Sequence, residues 1–375
     1  ELIAALRARG NRVEEWSLSR GDGAMGSEGG ALARLAARAP RVLYEIAEHA
    51  YGPMVAGRLA AAGRACAAEV LYERHALGNT AGVRVARQLG IPMLLEVNSP
   101  LAHERGTHET LVLRRWAASS ERAVLRRADR VLCVTRVLAD VLLAAGVPRP
   151  RIAVVRNGVD LARYPPAPPP PGPGIVIGFT GFFRPWHRIE DLVDALADGR
   201  LPAAARLLLV GDGPSRASIE SRAAQRGVSA RVTITGAVEH GAVPALVQSM
   251  HVCVQPAATP YASPLKLAEY MAAARAVVAP DQENLREVLT HGRDALLFDP
   301  SRPEALTEAV VRLAHDGELR GRLGAAARQT VEREKLTWAG NAERVEALAK
   351  SCLAERLALV ARRVGIERGR AERPK

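Results

Sequence analysis

The chain has 375 residues, 48% of them hydrophobic and 25% charged, which is enough for two domains with real cores, and no apolar run reaches the length of a membrane-spanning helix. A formal net charge of +12 favours anionic partners such as phosphorylated substrates or a lipid headgroup surface. Aromatic content of 4%, charge spread along the chain and the lack of a zinc-finger or RNA-recognition signature argue against nucleic acid.

The first half alternates helix and strand. Helical stretches are predicted over 2–8, 31–38, 54–63, 80–89, 107–127 and 137–145, and strands over 12–18, 68–73, 92–98, 130–135 and 151–156. This half opens on a helix, whereas a Rossmann-like half opens on a strand followed by a Gly-rich turn. The expectation is therefore a truncated start: 2–8 is the first helix, 12–18 the second strand, and the opening central strand beside 68–73 is missing. The stretch Pro165-Pro166-Ala167-Pro168-Pro169-Pro170-Pro171-Gly172-Pro173-Gly174 can join neither a helix nor a central strand. It reads as a semi-rigid linker, 165–174, between a lobe at 1–164 and a lobe at 175–336.

The second half predicts strands at 174–180, 206–211, 231–236, 251–256, 275–280 and 294–298. Helices are predicted at 189–198, 215–226, 241–250, 264–274, 284–291, 302–315 and 318–334, and a last helix runs from Thr337 to about Arg363, with a tail to 375. Apolar runs alternating with amphipathic helices give an α/β fold of two doubly wound, Rossmann-like lobes facing a cleft. Cys66, Cys133, Cys253 and Cys352 form no C-x-x-C pair and no metal-ligand spacing, which predicts no disulfide framework and no metal.

The segment Ser263-Pro264-Leu265-Lys266-Leu267-Ala268-Glu269-Tyr270-Met271 follows the strand at 251–256. Ser263 suits a helix N-cap and Pro264 the first helical position. Backbone N–H groups and the positive dipole end would face a phosphate there, with Lys266 as a mobile cation. Glu269, one turn on, can accept hydrogen bonds from a sugar diol, so the segment has the layout needed for a nucleotide-sugar; an ordinary strand-loop-helix unit with a capped helix is the alternative. Three further segments place Gly at strand ends: Gly178-Phe179-Thr180-Gly181-Phe182-Phe183-Arg184-Pro185-Trp186-His187, Leu208-Leu209-Val210-Gly211-Asp212-Gly213-Pro214, and Val232-Thr233-Ile234-Thr235-Gly236-Ala237-Val238. Small residues at corresponding ends of successive strands let backbone approach a ligand.

Together these motifs resemble the retaining, nucleotide-sugar-dependent glycosyltransferases of family 4, which have the GT-B fold. Asn157-Gly158-Val159-Asp160, Leu297-Phe298-Asp299-Pro300 and Thr337-Trp338 look like further landmarks of that family. The resemblance implies that the second lobe binds the donor, the first lobe binds the acceptor, and the final helix crosses back to the first lobe. Of the family's Glu-x7-Glu motif, Glu269 matches the second Glu, which implies a ribose contact, and Tyr261 stands at the first. The family's diphosphate-binding Arg and Lys fall on Phe182 and His187, with Arg184 and Lys266 nearby to compensate. The Ser-Pro-Leu-Lys-x-x-Glu form looks like a subgroup of the family.

In the first lobe Leu94-Leu95-Glu96-Val97-Asn98-Ser99-Pro100 is similar to the strand end where relatives carry a His near the transferred sugar. Asn98 stands there, able to bond a hydroxyl but not to titrate. Glu104 and the Tyr72-Glu73-Arg74 strand end are acceptor candidates lining the cleft, with loop polarity and a surface ion pair as the alternative. The expected reaction moves a sugar from a nucleotide-diphosphate sugar to a glycan or lipid-linked acceptor with retention, in the hexosyltransferase class, with Asn98, Arg184, Lys266 and Glu269 as the catalytic set. Gly181, His187, Gly211, Gly213, Val238, Ser263, Pro264 and Leu265 complete the donor site. Neither cofactor nor metal is expected, the nucleotide-sugar being a co-substrate.

The expected location is cytoplasmic and peripheral on the inner membrane face. With its opening strand missing, the chain is expected to bind nucleotide but transfer sugar poorly or not at all. Two rivals are a catalytically silent nucleotide-binding scaffold and an NAD-dependent oxidoreductase. The second is opposed by the lack of a G-x-G-x-x-G after a strand with an acidic residue at the proper distance.

Overall fold

Short aliphatic runs form the strands, and every ladder among the described residues is parallel. The computed structural model describes residues 1–16, 40–168, 170 and 174–371. They divide into two units: an N-terminal unit of Ile3–Val155 with Ala342–Lys375, and a C-terminal unit of Glu1–Leu2 with Arg156–Asn341.

In the N-terminal unit β1 (Leu71–Arg74), β2 (Met93–Val97), β3 (Arg130–Cys133) and β4 (Ile152–Val154) lie in that order. β2 is Met-Leu-Leu-Glu-Val and buries every residue except Glu96, the near-continuous apolar run expected of a strand covered on both faces. Crossover helices Ala81–Leu89 and Arg136–Ala144 are set by their ends. Gly90 closes the first in a left-handed cap at φ 70°, and the Thr135 hydroxyl caps the second by accepting from Leu138 N–H at 3.1 Å. From Ala342 onward the last helix, Trp338–Ala371, belongs to this unit. It is tied there by Arg9–Glu346 (2.6 Å), Arg356–Asp129 (3.3 Å) and an Arg130–Glu355 pair.

Two sequence expectations need correction here. No strand forms over the described part of 12–18; residues 11–16 are irregular, because Arg12 and Glu14 pair in solvent and leave no apolar alternation to bury. Residues 17–18 and the helix expected at 31–38 lie outside the described residues. The single helix expected over 107–127 is two, Leu101–His108 and Arg114–Arg127. The break is held by buried Glu45, whose carboxylate accepts from Val112 N–H (2.8 Å) and Leu113 N–H (2.7 Å). Those bonds, with burial opposing them, bring the Glu45 pKa below its ordinary value.

The C-terminal unit has six strands in the order β10-β9-β8-β5-β6-β7. They are β5 (Val176–Thr180), β6 (Arg206–Val210), β7 (Val232–Ile234), β8 (Val252–Val254), β9 (Ala276–Pro280) and β10 (Leu296–Phe298). Side chains alternate between two helix-covered faces: Val252 and Val254 join Phe179, Leu209 and Leu192 in one core, and Cys253 joins Val277, Tyr270 and Met271 in the other. Strand order reverses between β5 and β8, and at such a switch point the loops beyond the carboxyl ends diverge to leave a crevice. The helix expected over 284–291 is only Glu283–Arg286, because Thr290 N–H is taken by the Asp294 carboxylate at 2.6 Å.

The described part of the Pro-rich stretch runs along this unit. Its carbonyls accept from Gln248 (Pro165, 2.9 Å), Arg275 (Ala167, 3.0 Å; Pro168, 3.2 Å) and His251 (Pro170, 3.2 Å). A proline run has few N–H groups to pair, so side-chain donors satisfy it.

Candidate functional site

The loops after β5 and β6 fit together through their glycines. Gly181 N–H bonds Val210 O (2.9 Å), Phe183 N–H bonds Asp212 O (2.8 Å), and Ser215 N–H bonds Phe183 O (3.1 Å). Gly211 has φ 131°, and a Cβ there would stand 2.1 Å from the Gly181 carbonyl oxygen. Only glycine permits that approach. Gly213 closes in the same way on the Phe183 backbone. Val238, beyond β7, is half-buried and packs against the second core.

The helix after β8 is Leu265–Ala272, one residue shorter at its start than the sequence suggests. Pro264 is the cap residue, extended at ψ 120°, and Ser263 makes no side-chain cap. The Ser263 carbonyl instead accepts from the Asn157 amide at 2.6 Å. Leu267 N–H bonds Pro264 O at 3.1 Å. The N–H groups of Leu265 and Lys266 have no backbone partner among the described residues, which suits an anion. Tyr261, in the position of the first motif Glu, is buried.

Lys266, expected as a mobile cation, is half-buried. Its ammonium sits over the Phe179 ring, 3.9 Å from the centroid, and a Cβ on Gly181 would be 3.0 Å from it. Burial, partly offset by Glu269, brings its pKa down to about 7. His187 lies against the same Phe179 ring, with centroids 5.4 Å apart. Burial first, then Lys266 and Arg184, bring it down to about 3, so the ring is neutral. Its Nδ1 faces the Phe182 carbonyl at 3.0 Å, and a carbonyl can only accept. Nδ1 therefore carries the proton, and Nε2 is left as an acceptor. With that proton held by the Phe182 carbonyl, the neutral ring has no second N–H to offer a phosphate. The Arg184 guanidinium stacks on Phe182 (4.7 Å) and Trp186 (5.3 Å), beside Lys266 and His187.

Glu269 is half-buried one turn beyond Lys266. Burial raises its pKa, opposed by His240, Tyr164, Arg163 and Lys266 in that order. Tyr164, buried beside this carboxylate, is itself raised by burial and then by Glu269. The structure thus gathers Gly181, Arg184, His187, Gly211, Gly213, Ser263, Pro264, Leu265, Lys266 and Glu269 at the switch point of one sheet. Sequence reasoning missed Tyr164 and the Asn157–Ser263 bond. Asn157-Gly158 was visible only as a landmark, and no spacing pairs it with Ser263.

The other candidates lie in the N-terminal unit, where Glu96, which sequence reasoning missed, joins Tyr72, Arg74 and Asn98. Its carboxylate accepts from Tyr72 OH (2.6 Å) and the Asn98 amide (2.8 Å), and Arg74 is 4.0 Å away. Alternation along β2 puts Glu96 and Asn98 on one face, which was the available signal. The Asn98 amide oxygen has no partner among the described residues. Glu73 is raised to about 7 by burial, opposed by the Gly82 N–H, and accepts from Asn79 at 3.3 Å. Glu104 is half-buried on the helix Leu101–His108.

Residues 1–163 match the family described as Glycosyltransferase Family 4, and residues 174–316 match Glycosyl transferases group 1. An alpha-D-kanosaminyltransferase of Streptomyces kanamyceticus is 25% identical over 64% of this chain and 65% of its own. A GDP-mannose-dependent alpha-mannosyltransferase of Mycobacterium tuberculosis is 29% identical over 67% of this chain and 64% of its own. The chain thus spans just under two thirds of the length of these curated relatives. Among solved structures, Anabaena HepE in complex with UDP superposes with a TM-score of 0.67 at 17% identity, covering 79% of this chain and 82% of that one. The two Rossmann-like lobes are those of the GT-B fold, and the two family matches with these relatives support a GT-B glycosyltransferase.

Proposed function

We propose that the protein is a retaining hexosyltransferase that moves a sugar from a nucleotide-diphosphate sugar to a glycan or lipid-linked acceptor. The observation that carries this reading is the convergence at the β5/β8 switch point. Two unpaired N–H groups at a helix start, the Lys266 ammonium and the Arg184 guanidinium gather there, with the Glu269 carboxylate one turn behind. Breaking the bond from the anomeric carbon to the phosphate oxygen leaves the electron pair on the diphosphate. Donors and cations already aimed at that charge stabilise it without reorganising. The acceptor oxygen bonds the anomeric carbon on the face the diphosphate leaves, and its proton passes to the departing phosphate. Glu269 holds the ribose hydroxyls. Asn98 bonds a hydroxyl of the transferred sugar, and Arg74 and Glu104 contact the acceptor.

Incubation with UDP- and GDP-sugars and candidate acceptors, with the product anomer read by NMR coupling constants, tests the reading. Any product formed should retain the donor's anomeric configuration. An inverted product would contradict the reading, and nucleotide binding without transfer or donor hydrolysis would favour a silent nucleotide-binding protein.

The proposal includes peripheral binding to an anionic membrane. The outward side of the helix Arg41–Ala65 exposes Leu43, Ile46, Tyr51 and Met54, with Arg58 but no exposed acid, and Trp116 stacks on His49 of that helix. No described helix is long and apolar enough to cross a membrane. Flotation with anionic but not neutral vesicles, reduced by salt, is expected; salt-insensitive flotation, or none, would count against it.

A further inference from the structure

The loop 256–263, which leads from β8 into the Pro264 turn, is gripped by carboxamide side chains. The Gln255 amide donates to Ala257 O, and Gln282 to Ala258 O at 3.3 Å. Asn284 donates twice, to Thr259 O at 3.2 Å and Ala262 O at 2.7 Å. Asn157 donates to Ser263 O at 2.6 Å. The four amides come from separate places: the segment after β4, the end of β8, the turn after β9 and the helix Glu283–Arg286. Each gives N–H and each takes a loop carbonyl.

The arrangement is costly. Gln255 is 0% and Asn284 2% exposed, and the buried amide oxygens of Gln255, Gln282 and Asn284 have no partner among the described residues. Unsatisfied buried acceptors destabilise a fold, and an apolar side chain of similar shape would avoid that penalty. Three such residues around one loop are explained by what their N–H groups fix. Five carbonyls of the 257–263 loop are held from outside, and the last, Ser263, sits one residue before the helix cap.

We propose that Asn157, Gln255, Gln282 and Asn284 are positioning residues that clamp this loop and so set where the N–H groups of Leu265 and Lys266 and the Lys266 ammonium stand. Asn284, bonded twice, is the principal clamp. This rests on the donor-site reading above. A misplaced turn weakens every contact to a bound diphosphate, and a loosened loop lets water reach the Lys266 side chain.

The test is calorimetric titration of UDP and GDP, from mildly acidic to mildly basic pH, into wild type, Asn284→Leu, Gln282→Leu and Lys266→Ala. Both clamp variants should melt cooperatively, and each should raise the nucleotide Kd by about tenfold. The pH at which affinity falls should move upward, because a hydrated lysine holds its proton longer; a purely structural role would leave that profile in place. Asn284→Ser, which keeps one donor, should recover part of the affinity.

Gln282 is half-buried, so Gln282→Leu carries the test if Asn284→Leu does not fold. Wild-type affinity and an unshifted profile in the folded clamp variants, with Lys266→Ala impaired, would overturn the clamp and spare the donor site. No nucleotide binding by wild type, or an unimpaired Lys266→Ala, would overturn the donor site and the clamp with it.

Discussion

The Lys266 ammonium lies 3.9 Å from the centroid of the Phe179 ring, on the side chain of the strand that opens the C-terminal sheet. An aromatic face attracts a cation but does not hydrate it, so the site holds a lysine near its titration point.

A pH dependence follows. The free protein holds Lys266 protonated below about 7, and a diphosphate binds the protonated form and draws its pKa up. Nucleotide affinity should be greatest below that value. It should fall by up to about tenfold per pH unit above it, until the pKa of the complex is reached. Lys266→Met should bind weakly and flatten the curve. Calorimetry across the pH range checks this, and a wild-type affinity that rises or stays level through neutrality would contradict it.

Gly211→Ala should cost about 2–4 kcal/mol of stability, because the new Cβ meets the Gly181 carbonyl at a left-handed backbone position. Urea unfolding measures it. A loss below about 0.5 kcal/mol, the range of an ordinary surface change, would mean the two glycine loops are not in the contact described.

Arg184→Ala should lower turnover by about tenfold or more, whereas Arg333→Ala on the surface should not. Arg184 stacks on Phe182 and Trp186 beside Lys266, while Arg333 pairs locally with Glu334 and Thr330. Steady-state kinetics with saturating donor would separate the two. Equal rates for Arg184→Ala and wild type would remove Arg184 from the reaction.

The C-terminal sheet was legible because each strand is a short aliphatic run ending in Gly or a polar loop, as Leu207–Val210 before Gly211 shows. The helix at 265–272 was legible for a similar reason, although its cap was misplaced. Ser263 offers a hydroxyl, but its carbonyl is bound by Asn157, 106 positions away, and no local pattern carries that bond. Glu45 is the same case: it breaks the helix expected over 107–127 by accepting from Val112 and Leu113, a partnership 67 and 68 residues long. His187 could be named from its place after a Pro-Trp turn. Which of its nitrogens carries the proton depended on the Phe182 carbonyl, and that decides whether it can donate to a ligand at all.

The most direct test of the donor site is titration of UDP and GDP into wild type and Glu269→Ala at mildly acidic pH, with thermal melting as the folding control. Glu269 lies behind the helix start with its carboxylate facing Tyr164 and Lys266. At least one nucleotide should bind wild type, and folded Glu269→Ala should bind it at least about tenfold more weakly, a loss of about 1.4 kcal/mol. A folded Glu269→Ala protein with wild-type affinity, or a wild type that binds neither nucleotide, would contradict the donor-site reading.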